Sequence, residues 1–170
     1  MNIPKTIEAA SVTVIEQFSV GAKTVIRSWH NLKEDEKWDA GEDRKFPCID
    51  LRAYIKPDPS IACGELCEIQ AIIYTKLQDD QNHLIISDIE AAVKESFDTL
   101  YSQYRKGTES GLFTEFQTAI QDGCVKEDGS KPVSVCGIQF GEPLPPDDDG
   151  EGRNYVGLTL IVSYSRSDFN

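Results

Sequence analysis

No run of this chain stays apolar for the roughly 20 residues that a membrane-spanning helix needs, so no transmembrane segment and no membrane partner are expected. Cations are also scarce. Seventeen Lys and Arg face 29 Asp and Glu, a net charge of −12. A surface of that sign repels phosphates, which excludes a protein that grips nucleic acid by its backbone but not one that surrounds DNA without holding it. Histidine occurs only at His30 and His83, far apart in sequence. The opening Met1-Asn2-Ile3-Pro4-Lys5 lacks the basic-then-apolar order of a signal peptide, so synthesis in a cytoplasm is the expectation. Catalytic signatures are missing as well. There is no Gly-x-Ser-x-Gly, no glycine-rich phosphate loop ending in Lys-Ser or Lys-Thr, and no His-Glu-x-x-His. No catalytic residue, cofactor or metal ligand is therefore assigned, and function has to come from architecture and surfaces.

The five cysteines, Cys48, Cys63, Cys67, Cys124 and Cys136, are an odd and irregularly spaced set. Disulfide frameworks come as even sets in shorter secreted chains, and zinc sites as paired half-sites; Cys63 and Cys67 have no second pair to match them. Free thiols are expected.

What is present is alternation. In Cys48 to Lys56, Ile49, Leu51, Ala53 and Ile55 share one parity, and Asp50, Arg52, Tyr54 and Lys56 the other. This is the pattern of a half-buried strand. A second strand is predicted from about Leu66 to Leu77, with Cys67, Ile69, Ala71 and Ile73 inward; Ile72 and Tyr74 make its outer face unusually apolar, which hints at a covered or partner-facing side. Pro57 to Glu65 joins the two as a long loop of an antiparallel pair. Pro132 to Phe140 and Asn154 to Tyr164 are the last two strands.

Helical spacing appears three times. Ile7, Ala10, Val14, Ile15 and Phe18 form a stripe over residues 5–20, with Pro4 suited to the first turn. Val25, Ile26, Trp29 and Leu32 are compatible with its continuation, and Trp29 and Trp38 with packing at a sheet edge or a neighbouring subunit. Ser87-Asp88-Ile89-Glu90 reads as a capping box that starts a helix ending before Gly107. Leu112, Phe113, Phe116, Ala119 and Ile120 mark a shorter helix closed by Gly123.

The sum is one α+β domain over residues 1–170, in α-β-β-α-β-β order, with a mainly antiparallel four-stranded sheet carrying helices on one face. Ile49, Leu51, Ile69, Ile73, Val93, Leu100, Leu158 and Leu160 are its expected core. Residues 141–153, rich in Pro, Gly and Asp, read as a long exposed hairpin loop. Asp147, Asp149, Glu151 and Gly152 match positions 1, 3, 5 and 6 of an EF-hand loop, but position 12 is Leu158 and a strand follows. The loop reads instead as a solvated acidic segment.

The order of elements resembles the tail terminator proteins of long-tailed bacteriophages, the lambda-type minor tail protein U group. The resemblance is carried by the helix through Ile7 to Phe18, the strands Ile49 to Ile55 and Ile69 to Leu77, the helix Ser87 to Tyr104, and the closing strand Val156 to Val162 followed by Ser163-Tyr164-Ser165-Arg166. It implies a virion protein made in the host cytoplasm: a hexameric ring of identical subunits that caps the tail tube, contacts neck or connector proteins, and lets DNA pass without tight binding. Asp147, Asp148, Asp149 and Glu151 in the acidic loop, with Arg166, Asp168 and Phe169 at the C-terminus, are the candidate partner contacts. A different head–tail joining or adaptor protein, or a small α+β enzyme with an inconspicuous site, is the alternative.

Overall fold

The computed structural model describes residues 1–38, 44–56, 65–107 and 110–167. The first helix, α1, spans Ile3–Glu16. Its start is set by Asn2, whose side chain accepts the Lys5 N–H at 3.0 Å, with Pro4 in the first turn.

The helix does not resume after Gly21. Val25–Ser28 is instead a strand, β1, lying parallel to β2 (Cys48–Lys56) in the register Val25↔Cys48 to Ser28↔Leu51. Val25 and Ile26 are β-branched, and β2 offers an open edge; the Val25 N–H reaches the Pro47 carbonyl at 3.0 Å. A single turn of 3-10 helix, Trp29–Asn31, and the five-residue α2, Glu34–Trp38, follow. β3 (Glu65–Lys76) pairs antiparallel with the whole of β2, as the alternation predicts.

The long helix α3 spans Leu84–Lys106 and stops at Gly107, whose φ of 65° places it in the left-handed region. Ser87 does not cap it. The first turn is held by Asp80, which is buried and accepts the N–H groups of Ile85 and Ile86 at 2.9 and 3.0 Å and the Thr75 hydroxyl at 2.9 Å. The capping-box spacing is real, but a buried carboxylate from the preceding turn satisfies the orphan donors three residues earlier. α4, Leu112–Gly123, is where the sequence places it.

Three more strands close the fold: β4 (Val133–Phe140), β5 (Leu144–Asp148) and β6 (Arg153–Arg166). Among the described residues the sheet is therefore mixed and six-stranded rather than four-stranded, in the order β1-β2-β3-β6-β4 with β5 also on β6. β4 pairs with the C-terminal half of β6 and β5 with its N-terminal end. Residues 141–153 are thus no long loop: most of the segment is β5 and a tight turn. Gly157 makes room for it, since a Cβ there would lie 2.7 Å from Leu144 Cβ.

α1, α3 and α4 pack on one face of the sheet and share a single core with the inward residues of β2, β3, β4 and β6. Seven of the eight expected core residues are essentially inaccessible. Leu158 is the exception and is only partly buried. It sits where β4 has ended and β5 has not begun, so its neighbours leave it uncovered on one side.

Candidate interaction surface

The acidic segment is a folded turn, contrary to its reading as a solvated loop. Asp149 Oδ1 accepts the N–H groups of Glu151 (2.8 Å) and Arg153 (3.2 Å), and Asp149 Oδ2 accepts from Arg153 Nε. Arg153 Nη2 also donates to Glu151 at 2.8 Å, and Gly150 and Gly152 supply φ values of 73° and 84°. Burial works against ionisation of Asp149. The hydrogen bonds from Glu151 and from the Arg153 side chain and N–H outweigh it and hold the carboxyl below its usual range. Asp149 and Glu151 are thus engaged within the turn; Asp147 and Asp148 lie exposed on β5, their Oδ1 atoms accepting the N–H groups of Asp148 (2.8 Å) and Gly150 (2.9 Å). With Pro145 and Pro146 they give this edge strand a composition that resists strand addition.

Arg166, the last residue of β6, pairs with Val133. The acidic turn begins at the other end of the same 14-residue strand, about 40 Å away at the usual rise per residue. The fold therefore does not unite the two candidate contact regions. Asp168 and Phe169 lie outside the described residues, as do Cys63 and the side chain of Trp38.

The outer face of the sheet carries what sequence reading only hinted at. Four of the six arginines, Arg27, Arg44, Arg52 and Arg153, gather there among aromatic rings. Arg44 lies over Tyr74, 4.5 Å from the ring centroid, and bonds Asp50, which also takes Arg27 at 3.3 Å. Tyr155 packs beside Tyr74 at 6.3 Å. The apolar outer parity of Tyr74 is thus covered from within the chain, and Leu144 approaches the Gly157–Ile72 position in the same way. At the β1 edge, Arg52 and Lys37 stand over the Trp29 ring at 4.5 and 5.2 Å.

A buried polar cluster joins α1 to the edge of the sheet. Glu8 on α1 is completely buried and contacts His30 Nδ1 at 2.6 Å. It also accepts from Ser28 Oγ (2.5 Å), His30 N (2.8 Å) and Ala53 N (2.9 Å). β1 ends at Ser28, so the Ala53 N–H lies beyond its ladder and Glu8 supplies the missing acceptor. All four contacts hold the sheet edge to α1. The sequence carried a faint signal of this, because Glu8 lies in the same stripe as Ser11 and Ile15.

The thiols are held in their protonated form. Cys48, Cys67 and Cys124 are buried and free, as expected. Burial, helped by Asp50 and opposed by Arg44, pushes Cys48 up to about 11; burial and then Glu8 push Cys67 up to about 12. Burial likewise raises Cys124. None is a thiolate near neutral pH. Cys136, by contrast, is disulfide-bonded, which corrects the expectation of free thiols throughout. Among the described residues no three His, Cys, Asp or Glu side chains are disposed to hold a metal ion, and no helix is long and apolar enough to cross a membrane.

Comparison with protein-family models and with curated proteins finds no match to this chain.

Proposed function

We propose that this chain is a non-enzymatic ring subunit of a virion, resembling a tail terminator, that caps a tail tube and joins it to the neck or head. The observation that carries this reading is the pair of unlike edges that the sheet presents, β1 with its short turn on one side and β4 with β5 on the other. A cyclic ring uses two different patches per subunit, one for each neighbour, and such a sheet offers them. The two-layer α+β architecture and the long closing strand agree with the resemblance. A net charge of −12 suits a lumen through which DNA slides without adhering.

Native mass spectrometry of the purified chain tests the reading. The expected species is a ring of six times the 18.9 kDa subunit mass, or one that forms when tail tubes are added. A chain that stays monomeric at high concentration and does not bind tail tubes overturns it.

A further inference from the structure

The core reaches solvent beside the gap between β4 and β5. Where β4 gives way to β5, Phe97, Phe140, Pro143 and Leu158 line a groove of about 410 Å³, rimmed by Glu90 and Asp98 of α3. Its volume falls in the range of small-molecule pockets, which is room enough for one large side chain. Phe140, which packs against Tyr101 at 5.0 Å, is 47% exposed, so an aromatic wall of the groove faces water. Two carboxylates on the rim, with Lys94 between them on the same helix, favour a guest that combines an apolar ring with a positive charge.

The opposite edge of the same sheet carries such a group. Trp29 follows β1 directly and holds the guanidinium of Arg52 and the ammonium of Lys37 over its ring. Arg52 is exposed, and Trp29 and Lys37 are partly exposed. β1 and β4 are the two ends of the strand order, so knob and groove point to different neighbours and cannot meet within one subunit. Their chemistry is complementary: aromatic and cationic against apolar and anionic. A head-to-tail contact of this kind repeats around a ring, and prolines and aspartates on β5 disfavour strand-to-strand pairing as the alternative.

Resting on the ring reading above, we infer that the occupant of the Phe140–Leu158 groove is the Trp29–Arg52 knob of the next copy of this chain. Large aromatic and arginine side chains in desolvated pockets commonly dominate such contacts.

Two subunit variants, each broken on one side, supply the test. Phe140→Asp spoils the groove and leaves the knob; Trp29→Ala with Arg52→Glu spoils the knob and leaves the groove. Each alone is expected to be a folded monomer by circular dichroism and native mass. Mixed in equal amounts they retain one intact interface between them, so a heterodimer is expected and a ring is not. Arg52→Glu alone, which changes only an exposed side chain, is expected to raise the concentration at which rings dissociate by at least about tenfold. Variants that still form parental rings, or a mixture that stays monomeric while the parent forms rings, overturn the interface and leave the ring reading standing. A monomeric parent that also ignores tail tubes overturns both.

Discussion

Glu8 shows how much one side chain can organise. A buried carboxylate survives in a fold when every lone pair is used, and its four donors come from β1, the turn after it and β2. Glu8→Ala leaves those donors without an acceptor, and a loss of about 3–5 kcal/mol in urea unfolding is expected. A loss under about 1 kcal/mol would show that water replaces the carboxylate. The buried thiols and Tyr54 make a second prediction. Cys48 and Cys67 rise from 9.0 to about 11 and 12, and Tyr54, through burial and its hydrogen bond to Glu68, from 10.0 to about 12. A raised pKa means that the unfolded chain loses its proton first. Stability is therefore unaffected by these groups below about pH 9 and falls as pH rises from 9 toward 12. Urea midpoints measured across that window should decline, and Cys48 and Cys67 should resist a thiol reagent at pH 8 until the chain unfolds.

At the level of elements, α3 and β6 give the sharpest contrasts. The start of α3 rests on Asp80, so Asp80→Ala should cost about 2–3 kcal/mol, whereas Ser87→Ala, at an exposed position, should stay within about 0.5 kcal/mol. The reverse order in thermal or urea denaturation would restore the capping box. Leu160 is completely buried in β6, and Leu158, two residues earlier on the same face, is not. Leu160→Ala should cost about 2–5 kcal/mol and Leu158→Ala less than about 2, because part of its surface is already in water. Equal losses would mean that the gap between β4 and β5 closes in solution.

For the molecule as a whole, the acidic turn and Arg166 lie at opposite ends of β6, so as the contact surfaces proposed above they would act separately. Deleting Asp147 to Asp149 would remove the aspartate that builds the turn. Asp147→Asn with Asp148→Asn is the cleaner change, since both side chains are exposed and Asp149 keeps its bonds to Arg153. On the ring reading proposed above, that variant should retain the parent's stability and ring mass yet lower the yield of complete particles. On the same reading, Arg166→Glu should weaken ring contacts and reduce their sensitivity to salt. Normal particle yield from the first variant and unchanged ring mass from the second would remove these residues from the contact surfaces.

Sequence by itself determined the elements whose pattern is periodic over many residues. Alternation in 48–56, about 66–77 and 154–164, the strand at 132–140, and the stripes of α1, α3 and α4 are consequences of backbone geometry, and nearly every side chain singled out in them faces the core as its parity predicts. β1 escaped because four residues are too few to show a period, and its conformation is dictated by the open edge of β2. β5 escaped because two prolines and two aspartates are ordinary loop chemistry until a partner strand accepts them at a sheet edge. The buried roles of Glu8 and Asp80, the arginine-aromatic outer face and the groove at Leu158 are made by residues distant in sequence. Their energies depend on which groups meet and how little water remains between them, and only the folded chain brings those groups together.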